Sequence, residues 1–319
     1  MTITLTSPRP AAARKAVAFC CDDHYLSYAL FAADQIARLH PQRDFDICIC
    51  GEQVPDIPPG LSGLGLRPCG IATQGAFRGL RLDARRTESA YLRLALPQAF
   101  AADYDRLPYL DSDIFVQGGD FSRLLDLDMK GHAVAAVRDT MQWRSPGRRP
   151  EQFRRFGWPA APYFNSGVLL IDVAAYRDAG LLDRAVALGR KERDRLIGHD
   201  QTLLNCALRG RWAELSPTWN WQYSWSARMS EAMLGANIVH FIGADKPWKD
   251  PRNRFPPRFA RAAAAFLARH YPERAAVPVG RGPASDSRYM RRMLLRQALS
   301  ARRMARYLDR FPDDLTLLA

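Results

Sequence analysis

A chain of 319 residues accommodates one large α/β domain with a smaller appendage and excludes three ordinary domains. Its 47% hydrophobic and 25% charged residues give the balance of a globular protein, and no stretch approaches the roughly 18 consecutive apolar residues that a membrane-spanning helix needs. The formal net charge of +13 points toward nucleic acid, an anionic membrane or a phosphorylated substrate, and the placement of the charge decides among them.

Residues 1–13 lack the basic-then-apolar order of a secretory signal; they are expected to form a disordered leader, with the protein remaining in the cytoplasm. KAVAFCC (15–21) is a short apolar run ending at Asp22 and Asp23, and Tyr28 to His40 then carries apolar residues at helical spacing, which predicts strand, loop and helix. A second strand follows at 45–50, a Pro/Gly-rich loop over 55–70, and a helix over 87–101. LPYLDSDIFV (107–116) reads as a strand running into two aspartates; Pro108 cannot donate to a ladder, so pairing is expected to begin after it. A strand at 132–139, a polar loop at 141–162 suited to a mobile lid, a strand at 164–172, helices near 179–194 and 200–208, a strand at 236–242 and a helix at 258–270 complete the series. Strands alternating with helices predict an α/β fold with a mostly parallel sheet covered on both faces, whose ligands gather beyond the carboxyl ends of the strands. The six cysteines show no C-x-x-C spacing and lie mostly in apolar runs, as reduced core residues do.

Asp111 and Asp113 are two apart at a strand end, so their carboxylates share one side while Ser112 faces the other. Two anions held together call for a cation, and a divalent metal there would neutralise both them and a diphosphate. Aspartate pairs also decorate ordinary turns, and a histidine in an apolar strand such as His240 is commonly a core residue. Here, however, His240 is followed by Gly243 and Lys246 at a turn, a set that suits a metal ligand with a phosphate clamp.

AFCCDDHYLSYAL (18–30), TESAYLRLALP (87–97), LPYLDSDIFV (107–116), FNSGVLLID (164–172), HDQTLLN (199–205) and HFIGADKPW (240–248) occur in the order that resembles glycosyltransferase family 8, and in particular the bacterial lipooligosaccharide α-galactosyltransferases. The resemblance covers about residues 15–270 and implies a GT-A fold, a UDP-sugar donor, Mn²⁺ (or Mg²⁺) as cofactor and retention of anomeric configuration. It implies that Asp22 recognises the uracil, that Tyr25 stacks on it, and that Asp111, Asp113 and His240 hold the metal. Gly243 and Lys246 would meet the diphosphate, with Ser112 inside the same nucleotide-binding motif. Arg93, Asp139, Asn165, Asp200 and Gln201 would surround the donor sugar, Gln201 beneath its anomeric carbon. His24 stands where the family tends to carry an asparagine for the ribose, and keeps hydrogen-bonding capacity. Ordinary alternatives remain: Arg93 pairing with Glu88, Tyr25 in the core, Asp139 capping the following loop and Asp200 capping a helix. Gln201 is a poor nucleophile, which favours front-face attack through an oxocarbenium-like state, with double displacement still open.

The chain thus divides into a leader (1–13), a GT-A catalytic domain (14–272) and a basic amphipathic C-terminal region (273–319). Arg288 to Arg310 holds eight arginines and one acid, a net +7 of the chain's +13. On a helix, Arg288, Arg292, Arg296, Arg303, Arg306 and Arg310 fall within an arc of about 80° opposite Met290, Leu294, Ala301, Met304 and Leu308, while Leu295 and Leu299 lie on or near the arginine side. Such a helix suits an anionic membrane surface, or else docks on the catalytic domain. With the charge concentrated in one tail and no basic-and-aromatic module, nucleic-acid binding is disfavoured. The expected partners are a UDP-sugar and a glycan or glycolipid acceptor, as in lipopolysaccharide synthesis; a UDP-GlcNAc enzyme, a protein or glucan acceptor and a noncatalytic sugar-nucleotide sensor are the competing readings.

Overall fold

A computed structural model of the chain describes residues 2–82, 88–224, 227 and 235–319. β2 (Ala16–Cys20), β3 (Asp46–Gly51), β4 (Arg67–Ala72) and β5 (Arg106–Leu110) run side by side in parallel, in the order β4-β3-β2-β5. β8 (Phe164–Asp172) pairs antiparallel with β5 and with β7 (Val134–Arg138), and β9 (Ala213–Leu215) runs parallel beside β7. β1 (Thr4–Thr6) and β12 (Leu317–Leu318) close the two edges antiparallel, so six of the nine strands in this sheet point the same way. A second, three-stranded sheet sets β6 (Ile114–Val116) against β11 (Ile238–His240), which also pairs with β10 (Trp221–Gln222).

Apolar runs without polar alternation form these strands because both faces of the sheet are covered. Val17, Phe19, Ile47 and Ile49 feed one core, while Ala16, Ala18, Cys48 and Cys50 feed the other. α1 (Asp23–Leu39) packs on the first face; α2 (Leu92–Ala99), α6 (Val173–Asp178), α7 (Leu181–Lys191) and α8 (Asp200–Leu208) build the second. All six cysteines are free, five of them buried, as the sequence predicts.

Four expectations need correction. The residues expected as a disordered leader are tied to the sheet edge: β1 pairs with β4 from Thr4↔Ala72 to Thr6↔Gly70, and the Ala12 amide donates to Asp46 Oδ2 at 2.9 Å. The edge of β4, hidden in a stretch that reads as loop, supplies the backbone partners that a short strand needs. The run 107–116 is two strands in two sheets, broken at Asp111 to Asp113, and Pro108 pairs with Leu170 of β8 on the side where its missing N–H is not required. The stretch 141–162 contains α4 (Thr140–Trp143) and α5 (Glu151–Arg155), with α4 anchored by the buried Trp143. The helix expected from residue 87 is a 3₁₀ turn at Glu88–Tyr91 followed by α2, and Thr87 lies outside the described residues.

The basic C-terminal region docks on the domain. α3 (Phe121–Leu125) and the Pro257–His270 helix extend the first core, and the C-terminal helix (Ser287–Leu308) lays Met293, Met304 and Tyr307 against the protein. This seam differs from the one the helical spacing predicts: Leu294 is exposed, because tertiary partners select Tyr307 instead. The Tyr307 ring stacks on Trp143 (centroids 5.6 Å, 14°), and its hydroxyl donates to Glu214 Oε1 at 3.0 Å. Buried Glu214 also accepts from Arg138 at 2.6 Å and Arg310 at 2.9 Å, so three donors satisfy one carboxylate. The Trp219 indole donates to the Asp314 carbonyl, and β12 then pairs with β9. No helix among the described residues is long and apolar enough to cross a membrane.

Tyr307→Ala is expected to destabilise the whole domain by about 3 kcal/mol, since it removes a packed ring and a donor to a buried carboxylate. Tyr307→Phe should cost only about 1 kcal/mol, because Arg138 and Arg310 still neutralise Glu214. Urea denaturation of both variants checks this; equal, negligible effects would mean that the helix does not dock through Tyr307.

Candidate active site

The site lies where the two sheets meet. Breaking the chain between β5 and β6 leaves Asp111 and Asp113 on a short link; the Asp111 amide donates to the Gly167 carbonyl at 2.8 Å, and the Phe241 amide to the Asp113 carbonyl at 3.0 Å. β11 pairs with β6 in the register His240↔Ile114, which delivers His240 to the same spot. One ligand atom from each of Asp111, Asp113 and His240 lies within 4.8 Å of the other two. His240 Nε2 stands 3.3 Å from Asp113 Oδ1 and 3.6 Å from Asp111 Oδ2.

The hydrogen bonds behind His240 fix which nitrogen faces the carboxylates. The Gly167 N–H donates to Asn165 Oδ1 at 3.0 Å, so that atom is the carbonyl oxygen. Asn220 Nδ2 donates to the same oxygen at 2.9 Å, which turns Asn220 Oδ1 toward His240 Nδ1, also at 2.9 Å. His240 Nδ1 therefore carries the proton, and in the neutral ring the Nε2 lone pair points at Asp111 and Asp113. A lone pair aimed at two carboxylates is stable only with a proton on the ring or a cation between them, and the donor set of two carboxylates and one imidazole fits a divalent metal. Gly167 leaves the room: a Cβ there would sit 2.2 Å from His240 Cε1 and 2.9 Å from Asp111 Oδ2.

The carboxylates are balanced by cations. Arg93 reaches Asp111 Oδ1 at 3.0 Å and Asp200 Oδ2 at 3.1 Å, with its guanidinium over the Tyr109 ring, while the Tyr109 hydroxyl donates to Asp111. Burial works against the Arg93 charge, but Asp111 and Asp200 more than offset it and raise its pKa. Lys246 is buried and directs Nζ at Asp113 and at the Phe241 carbonyl. Burial likewise disfavours the Asp113 carboxylate, yet His240 and Lys246 hold its pKa well below the usual range.

Beside this cluster, Gln201 Oε1 accepts from Asn165 Nδ2 at 3.2 Å and the Ser166 amide at 3.1 Å, and Gln201 Nε2 donates to Asp139 Oδ2 at 3.2 Å. Asp200 Oδ2 accepts from the Ser166 hydroxyl at 2.8 Å. Asp139 also caps α4 by accepting from the Met141 amide, so capping and site membership coexist; burial raises its pKa. His199, not Asp200, occupies the cap position of α8, which frees the Asp200 carboxylate for Arg93.

The remaining sequence-predicted residues lie after β2, after β11 and in the link between β5 and β6. Asp22 caps α1 by accepting from the Tyr25 amide at 3.1 Å, and Tyr25 and His24 are exposed at the carboxyl end of β2, so Tyr25 is not a core residue. Gly243 takes a positive φ of 89° in the turn after β11 that brings Lys246 back. Ser112 is buried with no hydroxyl partner among the described residues. Sequence reasoning left Asn220, Ser166, Gly167 and Tyr109 without roles. Ser166 and Gly167 lie inside a quoted motif; Asn220 carries no signal beyond being a polar residue between two tryptophans, and its contact to His240 spans 20 positions.

Fold and site together define an α/β protein of the GT-A type, and its similarity to a galactosyltransferase, LgtC, solved with donor and acceptor sugar analogues, is at the level of the fold: TM-score 0.63 at 22% identity, covering 78% of this chain and 95% of that one. The family model described as glycosyl transferase family 8 matches residues 16–251, and the chain belongs to this family. Among curated relatives it is 32% identical over 178 residues to General stress protein A of Bacillus subtilis (51% of this chain) and 26% identical over 251 residues to Glycosyltransferase GlyF of Streptococcus pneumoniae (74%). It is 29% identical over 175 residues to Lipopolysaccharide 1,2-glucosyltransferase of Escherichia coli, again 51% of this chain. The chain spans 59%, 57% and 49% of the lengths of these three relatives.

Asn220→Ala frees the His240 ring and Gly167→Ala pushes it aside, so each is expected to weaken any divalent-metal binding at this cluster by about 10- to 100-fold with the fold retained. Titration calorimetry with Mn²⁺ and UDP checks this; unchanged affinity in both variants would remove His240 from the ligand set.

Proposed function

We propose that this chain is a metal-dependent, retaining glycosyltransferase that moves a hexose from a UDP-sugar to a saccharide acceptor such as a surface glycan. The observation that carries the reading is the convergence of two carboxylates with an imidazole whose tautomer is set by Asn220, next to a fixed Gln201 amide. Family membership and curated relatives named as glucosyl- and galactosyltransferases of lipopolysaccharide support the donor and acceptor classes. Asp111, Asp113 and His240 would hold Mn²⁺ or Mg²⁺, which when bound would supply positive charge to a diphosphate leaving group.

The donor's anomeric C–O bond to phosphate breaks, an acceptor oxygen forms the new bond to the same carbon, and the acceptor's proton passes to the departing phosphate oxygen. Two features support same-face attack. Gln201 Oε1 already accepts two hydrogen bonds, which hold it as an oriented dipole able to stabilise positive charge at the anomeric carbon. Asp200, the adjacent carboxylate, is neutralised by Arg93 and bonded to Ser166, so it is a poor nucleophile. Lys246 would reach a diphosphate by exchanging its contact with Asp113. Asp22 and Tyr25, just after the end of β2, suit a nucleobase.

Asp111→Asn and Asp113→Asn are each expected to abolish transfer in a folded protein, and a screen of UDP-sugars for Mn²⁺-dependent UDP release reads this directly. Wild-type-like turnover by either variant would reject the metal assignment. Gln201→Ala should lower kcat more than it raises the donor KM, because its dipole matters most as charge develops; a pure KM effect would make Gln201 a donor-binding residue only.

A further inference from the structure

The C-terminal helix does not simply cover the domain. Between it and the α4 segment lies an open cavity of about 480 Å³, within the size range of small-molecule sites. Arg144 and Arg148 line one wall and Arg296 and Arg303 the other, and no acidic side chain lines it among the described residues. Elsewhere on the surface, arginines meet carboxylates, as in Arg14 with Asp105, Arg106 with Asp172 and Arg195 with Glu192. Here Arg144, Arg148 and Arg303 form no ion pair among the described residues. Partial burial, then the nearby charges of Arg296 and Arg303, lower the Arg144 pKa from its ordinary value; like charges are gathered at a cost that an anion would relieve.

The cavity is connected to the site described above through the backbone of two of its lining residues. Thr140 in its wall follows Asp139, which accepts from Gln201, and Ser224 in its wall donates its amide to the carbonyl of Gln222, the residue paired with His240. Met141 and Leu299 add apolar surface between the guanidinium groups, which gives the otherwise misplaced Leu299 a function. We propose that this cleft is an acceptor subsite in which Arg144, Arg296 and Arg303 hold a phosphate group carried by the acceptor saccharide. The planar guanidinium fork matches phosphate oxygens, the hydroxyl group of Thr140 suits a sugar, and Thr140 follows Asp139, one of the groups proposed to flank the donor sugar, in the chain. The proposal rests on the glycosyltransferase reading. An anionic lipid headgroup shares the phosphate chemistry, and the test separates the two sources.

Binding of glucose 6-phosphate and of glucose to the full chain is measured by calorimetry in EDTA, which removes divalent metal as a phosphate ligand. The wild type is expected to favour glucose 6-phosphate at least about tenfold, with Arg303→Gln and Arg144→Gln each losing about tenfold while UDP-sugar hydrolysis is unchanged. No preference for the phosphorylated sugar, or full retention of it in both variants, overturns the subsite. A parallel arm measures sedimentation with phosphatidylglycerol and phosphatidylcholine vesicles: loss of phosphatidylglycerol binding in the variants, without a preference for glucose 6-phosphate, assigns the cleft to a membrane and also overturns it. If wild-type protein releases no UDP from any UDP-sugar, the glycosyltransferase reading fails, and the EDTA comparison still decides whether the cleft binds phosphate.

Discussion

The structure of the site depends on one electrostatic constraint, the holding of Asp111 and Asp113 side by side at the break between two strands. Two like charges about 4 Å apart repel by about 4 kcal/mol at a near-surface dielectric, and partial burial removes the water that would screen them. The surrounding protein answers with Arg93 against Asp111 and Lys246 against Asp113. Asp200 shares Arg93, so three carboxylates face two cationic side chains. The deficit of positive charge, with the His240 Nε2 aimed into it, is an electrostatic demand that a divalent cation would meet.

Rigidity at this point comes from behind the reacting groups. Asn165 is the junction: its carbonyl oxygen is pinned by the Gly167 amide, its amide nitrogen orients Gln201, and through Asn220 it sets the His240 tautomer. A shift in β8 therefore moves the His240 ring and the Gln201 amide together. In the proposed reaction such coupling through buried hydrogen bonds would tie metal to substrate geometry, where sub-ångström misplacement is costly in rate.

The C-terminal region adds a second level. Tyr307 and Arg310 complete the coordination of buried Glu214, whose other partner, Arg138, ends the strand that leads into Asp139. The helix thereby stabilises the floor beneath α4 while presenting arginines to the cleft at its side. Charge that composition alone assigns to a membrane or nucleic acid is thus divided between an internal ion cluster, a cavity between α4 and the C-terminal helix and an outer face that still exposes Leu294 and Leu295.

Period and motif determined much of this protein. The apolar runs at 15–21 and 164–172 become strands because continuous hydrophobicity is stable only where both faces are buried, and the short spacing of Asp111 and Asp113 keeps both carboxylates within the one link between β5 and β6. His240, Gln201 and Arg93 were legible through the order of short motifs, since their chemistry constrains their neighbours in sequence. Tertiary structure decided the rest. It chose β4 and the β1 edge where the sequence reads as loop and leader, because backbone pairing needs a partner strand more than it needs a hydrophobic pattern. It selected Asn220, 20 residues from His240, and it paired Arg93 with Asp200 across more than a hundred positions, through hydrogen bonds and ion pairs that leave no periodic trace. It also turned the C-terminal helix so that Tyr307 faces inward, because a hydroxyl partner for Glu214 and an aromatic surface on Trp143 exist only once the domain is folded.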